Sequence, residues 1–190
     1  MAEKTLYIIG GPNGAGKTTF AGKLLAAKGL EYIGADKIAA ELCPENPASY
    51  QLEAGRVFIE RLDAALREGR GCVIESTLSG KSLVQWIARA KLLGFSVVIQ
   101  FVFLETAESS WARVKERVRK GGHDVPKEDV FRRFERTIRN FWRLYRPAAD
   151  NWLIAYNEAD DWRSVAIGSP LATDILDERL FAKFIAIAEG

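Results

Sequence analysis

Short apolar runs alternate with segments of helical spacing along most of the chain. The runs are "TLYIIG", "EYIGAD", "GCVIES", "FSVVIQFVFL" and "NWLIAYN", which begin at residues 5, 31, 71, 95 and 151. Apolar residues at helical spacing predict helices to about Lys28, to about Arg67, from Ser82 to Leu93 and from about Glu108. Strands that alternate with such helices predict a mostly parallel, five-stranded sheet with helices on both faces, which is a three-layer α/β fold. The spacing of the tail from Leu171 predicts a closing helix.

Composition places the whole chain, residues 1–190, in one globular domain. Its 190 residues are 48% hydrophobic and 27% charged, which allows one sizeable core. No apolar stretch reaches the roughly 18 residues that span a bilayer, and the N-terminus lacks the long apolar segment of a secretory signal. We therefore expect a cytoplasmic protein that does not bind a membrane. Cys43 and Cys72 have neither CxxC spacing nor neighbouring histidines, so a metal site or redox pair has little support.

The stretch "GGPNGAGKTTF" lies between the first predicted strand and the first predicted helix. Gly11, Gly16, Lys17 and Thr18 match the GxxxxGK[ST] pattern in full, in the strand–helix context that this pattern requires. Glycines let backbone N–H groups converge on phosphate oxygens, helped by the positive end of the following helix. Lys17 is expected to reach the β- and γ-phosphates, and Thr18 to place its hydroxyl on Mg²⁺. The residues predicted to bind ATP are Gly11, Pro12, Asn13, Gly14, Ala15, Gly16, Lys17, Thr18 and Thr19.

Acidic and hydroxyl residues follow the second and third predicted strands. Open α/β sheets bind ligands at the carboxyl ends of their strands, so Asp36, Glu75, Ser76 and Thr77 are candidate site residues. A phosphoryl acceptor needs a carboxylate to take its hydroxyl proton, and Asp36 suits this role of general base. Asp36 also suits an N-cap of the segment "KIAAEL", and the two roles are compatible. Glu75, Ser76 and Thr77 are candidates for binding substrate hydroxyls or Mg²⁺-bound waters, with ordinary loop capping as the alternative.

A strongly basic segment follows the fourth predicted strand. From residue 106 to residue 146 there are twelve Lys and Arg against six Asp and Glu, which gives +6 and leaves −4 for the rest of a chain whose total is +2. The loop "RKGGHDVPKED" separates two arginine-bearing helices, and this arrangement predicts a helical lid over about residues 113–136. Guanidinium groups from such a lid would stabilise a phosphoryl group in transfer, and the candidates are Arg113, Arg117, Arg119, Arg132, Arg133 and Arg136. The alternative is a solvated helical face with surface ion pairs.

The arginines of the second of these helices also suggest a surface for nucleic acid. Apolar residues interleave with them in "FRRFERTIRNFWRLY", which favours an amphipathic helix packed on the core. Nucleic acid is therefore not expected as the main ligand. His123, the only histidine in the chain, is expected to make a loop contact rather than to act as a catalyst.

Six motifs occur in a recognisable order: "GPNGAGKTTFA", "GADKIAAEL", "AGR", "ESTLSGK", "RVKERVRKGGHDVP" and "RRFERTIRNF". With them the sequence resembles the bacterial zeta-toxin-like P-loop kinases over most of residues 5–157. The resemblance implies an ATP-dependent small-molecule kinase whose best-known relatives phosphorylate the 3′-hydroxyl of UDP-N-acetylglucosamine. It implies these roles: Lys17 and Thr18 on ATP and Mg²⁺, Asp36 as general base, Glu75 and Thr77 as the substrate-side motif, and Arg117 with Arg132 or Arg133 as the phosphate clamp. Gly34 and Ser76 depart from the family pattern, which commonly has asparagine and threonine there.

The sequence therefore predicts a kinase that moves the γ-phosphoryl of ATP to a hydroxyl of a small molecule, with UDP-N-acetylglucosamine as the first candidate. Another sugar, an antibiotic or a metabolite is the alternative acceptor. A partner-coupled ATPase module and a nucleic-acid-binding protein are the alternatives from other classes. An antitoxin-type inhibitor protein is a further candidate partner.

Overall fold

One seven-stranded sheet forms the centre of the computed structural model, which describes residues 4–122, 124–158 and 161–190. The strands are β1 (Thr5–Gly10), β2 (Glu31–Ile33), β3 (Cys72–Ser76), β4 (Ser96–Phe103), β5 (Asn151–Glu158), β6 (Asp161–Gly168) and β7 (Thr173–Ile175). Their order across the sheet is β2-β3-β1-β4-β5-β6-β7. Strands β1 to β5 run parallel, whereas β6 and β7 are antiparallel to their neighbours. His123 lies outside the described residues.

The prediction of five strands was wrong in number, although all five predicted strands are present. The two additional strands follow β5, in a segment without an apolar run. In β6 only Val165 and Ala166 are buried, and all three residues of β7 are exposed. These strands are held by backbone pairing at the edge of the sheet, so their sequences lack the apolar signal of a central strand.

Helices surround the sheet and connect its parallel strands. They are α1 (Lys17–Lys28), α2 (Ala35–Leu42), α3 (Gln51–Arg67), α4 (Leu83–Leu92), α5 (Ala107–Arg119), α6 (Lys127–Asn140), α7 (Arg146–Ala148) and α8 (Glu178–Glu189). A 3₁₀ turn at Pro47–Tyr50 precedes α3, and a π-helical turn at Phe141–Tyr145 follows α6. No helix in the described part of the chain is both long and apolar enough to span a bilayer.

The central strand β1 is buried along its whole length and divides the core into two parts. Leu6 and Ile8 belong to the larger cluster, whereas Tyr7 and Ile9 pack with Ala21 of α1 in a smaller one. Alternate residues of a strand face opposite sides of the sheet, so these two clusters are the two helix–sheet interfaces. The predicted three-layer α/β arrangement is confirmed.

Helix α8 is the closing helix that the apolar tail predicted, but it begins at Glu178 rather than at Leu171, because Thr173–Ile175 pair with β6 as strand β7. Asp177 caps it by accepting a hydrogen bond from the backbone N–H of Leu180 at 2.9 Å. Phe184 is fully buried, and its ring packs edge-on against Phe103 and Phe101, with centroids 5.3 and 6.0 Å away. The tail therefore completes the part of the core that contains Phe101 and Phe103 of β4.

Helix α5 ends in a turn that is capped by glycine. The N–H of Gly122 bonds to the carbonyl of Arg117 and that of Gly121 to Val118, both at 2.9 Å, which is a Schellman motif. Val125 and Val130 then pack with Val114, and this small cluster ties the two arginine-bearing helices together. The predicted closing motion of residues 113–136 stays a prediction.

We predict that Phe184→Ala lowers the free energy of unfolding by about 3–5 kcal/mol, because it removes a fully buried ring and leaves a cavity. Leu171→Ala is the control, since Leu171 is 98% exposed and its loss should change stability by no more than about 0.5 kcal/mol. Urea denaturation of both variants measures the effect. Equal, small effects would show that α8 is not part of the core.

Candidate active site

The loop that joins β1 to α1 approaches its neighbours so closely that its three glycines, Gly11, Gly14 and Gly16, have no room for a side chain. Gly11 has φ 146°, and a Cβ there would overlap the backbone carbonyl of Val102 in β4. Gly16 has φ 87°, and a Cβ there would overlap the side-chain amide of Asn157. Glycine is required at both positions because other residues rarely adopt this backbone conformation and because a neighbour already fills the space.

Polar contacts from β5 and α5 fix the loop from outside. The amide of Asn157 donates to the carbonyl of Ala15 at 2.7 Å, and the hydroxyl of Ser110 donates to the carbonyl of Asn13. Arg113 in turn donates to the backbone carbonyl of Asn157 at 3.0 Å. Asn157 is 1% exposed, so its hydrogen bond is made in a nearly water-free place. The loop is therefore held in shape by groups far away in the sequence.

Lys17 lies at the start of α1, where the backbone N–H groups of the first helical turn are free to bind an anion. Its side chain is 8% exposed, and its Nζ donates to the carbonyl of Pro12 at 2.9 Å. The pKa of the Lys17 ammonium is lowered, mainly because the group is buried. The negative charges of Glu75 and Asp36 counter this effect only in part. The loop thus places a cation at its centre, close to two acidic side chains.

Glu75 joins the third strand to the phosphate loop. Strands β1 and β3 pair with Ile9 opposite Glu75, so the carboxylate lies beside the start of the loop. It accepts a hydrogen bond from the hydroxyl of Thr18 at 3.0 Å and another from the hydroxyl of Tyr32 at 2.8 Å. Burial, followed by the charge of Glu75, raises the pKa of Tyr32, so the phenol stays a proton donor.

Tyr32 occupies the space beside Gly34. A Cβ at residue 34 would overlap the phenol ring, so the glycine that departs from the family pattern makes room for the tyrosine. This is a structural reason for that departure. Tyr32 was not singled out by the sequence analysis, because its role depends on how β2 lies against β3.

Asp36 lies in the first turn of α2, whose N-cap is Gly34 with an extended backbone and no side-chain cap bond. The N-cap role considered for Asp36 is therefore not what the structure shows. Instead Asp36 lines a cavity of about 260 Å³ together with Lys17, Glu75 and Arg117. Asn13, Ser76 and Thr77 also line this cavity, which we name the acceptor cavity.

Lys17 also lines a second cavity of about 510 Å³, which we name the donor cavity. Thr18, Thr19 and Arg113 line it, as do Gly14 and Gly16 of the loop. Three side chains line both cavities: Lys17, Glu75 and Arg117. The two cavities therefore meet at one cation from the loop, one carboxylate and one arginine.

Arg132 and Arg133 do not line either cavity. Both are paired with Asp129, at 2.5 and 2.7 Å, on the outer part of α6. Their predicted contact with phosphate would need the segment to move, and it stays a prediction. Arg117 is placed at the site without any movement, and Gly122 lies against its side chain with no room for a Cβ.

The segment "STLSG" after Glu75 is held in an unusual conformation. Leu78 has φ 56° although it is buried, which is uncommon for a residue other than glycine. The side-chain amide of Asn140 donates to the carbonyls of Leu78 and Ser79, both at 3.0 Å. The hydroxyl of Tyr145 donates to the carbonyl of Gly80 at 2.7 Å. The end of α6 and the π-helical turn therefore fix the segment that carries Ser76 and Thr77.

This sheet order, with the loop after β1, Asp36 after β2 and Glu75 within β3, defines the molecule as a P-loop protein with the α/β fold of P-loop kinases. The AAA_33 family model, described as an AAA domain, matches residues 6–141, and the chain belongs to this family. An uncharacterized protein of Haemophilus influenzae is 34% identical to it over 134 residues, which cover 70% of this chain and 94% of that protein.

Solved structures of related fold include complexes with partner proteins. A chain of the AvrRxo1-ORF1:AvrRxo1-ORF2 complex solved with ATP matches with a TM-score of 0.72 at 20% identity, covering 96% of this chain. This chain corresponds to 64% of that one. A chain from the PezAT chromosomal toxin–antitoxin system of Streptococcus pneumoniae matches with a TM-score of 0.67 at 15% identity, covering 100% of this chain and 86% of that one. At these identities the likeness is one of fold.

We predict that Gly16→Ala weakens ATP binding by roughly tenfold or more, because alanine must adopt a left-handed conformation and displace the Asn157 amide. Gly22→Ala is the matched control, since Gly22 lies within α1 with open space around it. The control should bind ATP normally and be more stable by about 0.5–1 kcal/mol. Calorimetric titration with ATP measures both affinities, and unaltered binding by Gly16→Ala would contradict the loop geometry.

Proposed function

We propose that this protein is an ATP-dependent phosphotransferase that moves the γ-phosphoryl group of ATP to a hydroxyl of a small molecule. The observation that carries the proposal is the meeting of the donor and acceptor cavities at Lys17, Glu75 and Arg117. The AAA_33 match and the fold of P-loop kinases support the same reaction class. A phosphoryl group bound at this meeting point would be in reach of groups from both cavities.

The donor cavity has the groups that a triphosphate needs. Backbone N–H groups of the loop and of the α1 N-terminus bind phosphate oxygens, and Lys17 neutralises their charge. The Thr18 hydroxyl and the Glu75 carboxylate are hard oxygen donors within hydrogen-bond distance of each other, so they fit a role in holding Mg²⁺ directly or through water. When bound, Mg²⁺ would neutralise charge on the phosphates.

The acceptor cavity supplies the base. Asp36 accepts the proton of the acceptor hydroxyl while the oxygen forms its bond to the γ-phosphorus. The bond from that phosphorus to the β–γ bridging oxygen breaks, and ADP leaves with the electron pair. Asp36 lines the acceptor cavity, which supports this role for its carboxylate.

Arg117 stabilises the transferred group. Arg117 lines both cavities, and its guanidinium would bind the negative charge that spreads over the three equatorial oxygens of the phosphoryl group. Lys17, which also lines both cavities, would add a second positive charge. Positioned cations at this point favour the transition state over the bound substrates, which is how they raise kcat.

The acceptor is proposed from the resemblance, with UDP-N-acetylglucosamine as the first candidate and another sugar, an antibiotic or a metabolite as the alternative. A protein partner of antitoxin type is also proposed, because chains of similar fold come from the AvrRxo1-ORF1:AvrRxo1-ORF2 complex and the PezAT toxin–antitoxin system. A cytoplasmic location would suit both proposals.

An acceptor screen tests the function. The protein is incubated with ATP, Mg²⁺ and single nucleotide sugars or metabolites, and ADP release is measured together with the masses of the products. We expect ADP release that depends on the acceptor and a product heavier by one phosphoryl group. ADP release that is the same without any acceptor would instead identify a partner-coupled ATPase.

We predict that Asp36→Asn lowers kcat by roughly 10²–10⁴, because the amide cannot accept the hydroxyl proton, and that it leaves nucleotide affinity unchanged. Glu41→Gln is the matched control on the same helix, since Glu41 is paired on the surface with Arg61. Steady-state rates and ATP titrations of both variants make the comparison. A fully active Asp36→Asn variant would remove Asp36 from the reaction.

We predict that Arg117→Ala lowers kcat by roughly 10²–10³ and changes nucleotide affinity much less, because the guanidinium acts mainly on the transition state. Arg133→Ala tests the lid. If the lid closes in the reaction, its kcat also falls; if kcat is unchanged, Arg133 serves only as a partner of Asp129. A purely KM effect of Arg117→Ala would place Arg117 outside the phosphoryl site.

A further inference from the structure

A groove on the surface of α3 continues from the acceptor cavity. It has a volume of about 440 Å³ and is lined by Gln51, Leu52, Gly55, Arg56, Ile59 and Glu60. Gly55 lines the acceptor cavity as well, so the groove and the cavity meet at this residue. We name this groove the α3 groove.

The apolar residues of the α3 groove form a helical stripe that the core does not use. Leu52 and Ile59 are seven residues apart and share one face with Gly55, yet they are 68% and 37% exposed. A stripe at this spacing is normally the buried face of a helix. Its exposure beside a candidate active site suggests that a ligand covers it.

The fold of α3 does not require a glycine at position 55. It lies within a helix of 17 residues, where glycine costs roughly 1 kcal/mol relative to alanine. Its φ is not in the left-handed region, and a Cβ there would meet no atom within 4 Å. Neither backbone conformation nor packing requires glycine here. What glycine does provide is an open passage between the acceptor cavity and the α3 groove.

Gln51 adds an uncharged polar group to the groove. Its side-chain Nε2 is shielded from solvent and has no hydrogen-bond partner in the described part of the chain. Buried donors are normally paired, so this amide suits a ligand oxygen. Arg56 and Glu60, of opposite charge, also line the groove, so the groove has no excess charge to attract a pyrophosphate.

The acceptor cavity alone is small. Its volume of about 260 Å³ is just below the ~300–1,000 Å³ of typical ligand pockets. An acceptor larger than its hydroxyl-bearing end must therefore extend out of the cavity. The passage at Gly55 leads directly to an apolar surface.

We propose that the α3 groove is a binding subsite for an apolar part of the acceptor. The acceptor is then an alcohol whose hydroxyl-bearing end lies at Asp36, and whose apolar, oxygen-containing remainder crosses Gly55 and covers Leu52 and Ile59. The inference rests on the proposed kinase function for the position of the hydroxyl. Of the acceptors proposed above, it therefore favours the alternative, an apolar glycoside or a similar alcohol, over UDP-N-acetylglucosamine, whose charged pyrophosphate would lie against the apolar stripe.

The test compares two alcohols that differ only in their apolar part, methyl β-D-glucopyranoside and phenyl β-D-glucopyranoside. Their affinities are measured by calorimetry in the presence of a non-hydrolysable ATP analogue. We expect wild-type protein to bind the phenyl glucoside roughly tenfold more tightly, because the ring loses contact with water in the groove. Gly55→Leu should abolish this preference by closing the passage.

Gly22→Leu is the matched control, because it makes the same change within a helix at another glycine with open space around it. It should keep the preference for the phenyl glucoside. Thermal denaturation checks that both variants are folded. The preference is a binding measurement, so it can hold even if the acceptor screen finds no phosphorylation, and the two proposals fail separately.

Three results would overturn the subsite: equal affinities of wild-type protein for the two glucosides, no binding of the phenyl glucoside, or a preference that survives Gly55→Leu. Each would mean that the exposed stripe is not covered by the acceptor. A protein partner would then be the occupant to examine.

Discussion

The structure depends on the close approach of the phosphate loop to the strands and helix around it. The backbone at Gly11 lies against the carbonyl of Val102, and Asn157 fills the space beside Gly16. A loop packed in this way keeps its N–H groups in place before any phosphate arrives, so binding does not have to order it. Lys17, at the end of this loop, lines both the donor and the acceptor cavity.

Glu75 links the phosphate loop to the acceptor cavity, which it also lines. It accepts hydrogen bonds from Thr18 and Tyr32, and so connects the loop, the third strand and the second strand. Its charge, with that of Asp36, offsets part of the cost of burying the Lys17 ammonium. Loss of Glu75 would therefore remove a candidate Mg²⁺ ligand and also a negative charge close to the Lys17 ammonium.

The sequence was sufficient for the parts of the molecule that local chemistry determines. The phosphate loop has a recognisable pattern because its glycines adopt backbone conformations and close contacts that other residues do not allow. Buried parallel strands are recognisable because they have continuous apolar runs. Asn157 could not be found in this way, since it acts on Ala15 from 142 residues away. Asn140 and Tyr32 were missed for the same reason, and β6 and β7 were missed because backbone pairing at a sheet edge leaves little trace in side-chain pattern.

Hydrogen–deuterium exchange of the whole protein, with and without ATP and Mg²⁺, tests the central claim most directly. If a preformed loop binds the triphosphate in the donor cavity, with the γ-phosphoryl group where the two cavities meet, ATP should slow exchange in residues 11–19 and in the segments around Glu75 and Arg117. Protection confined to other regions, or no protection of the loop at ATP concentrations that saturate binding, would contradict the account.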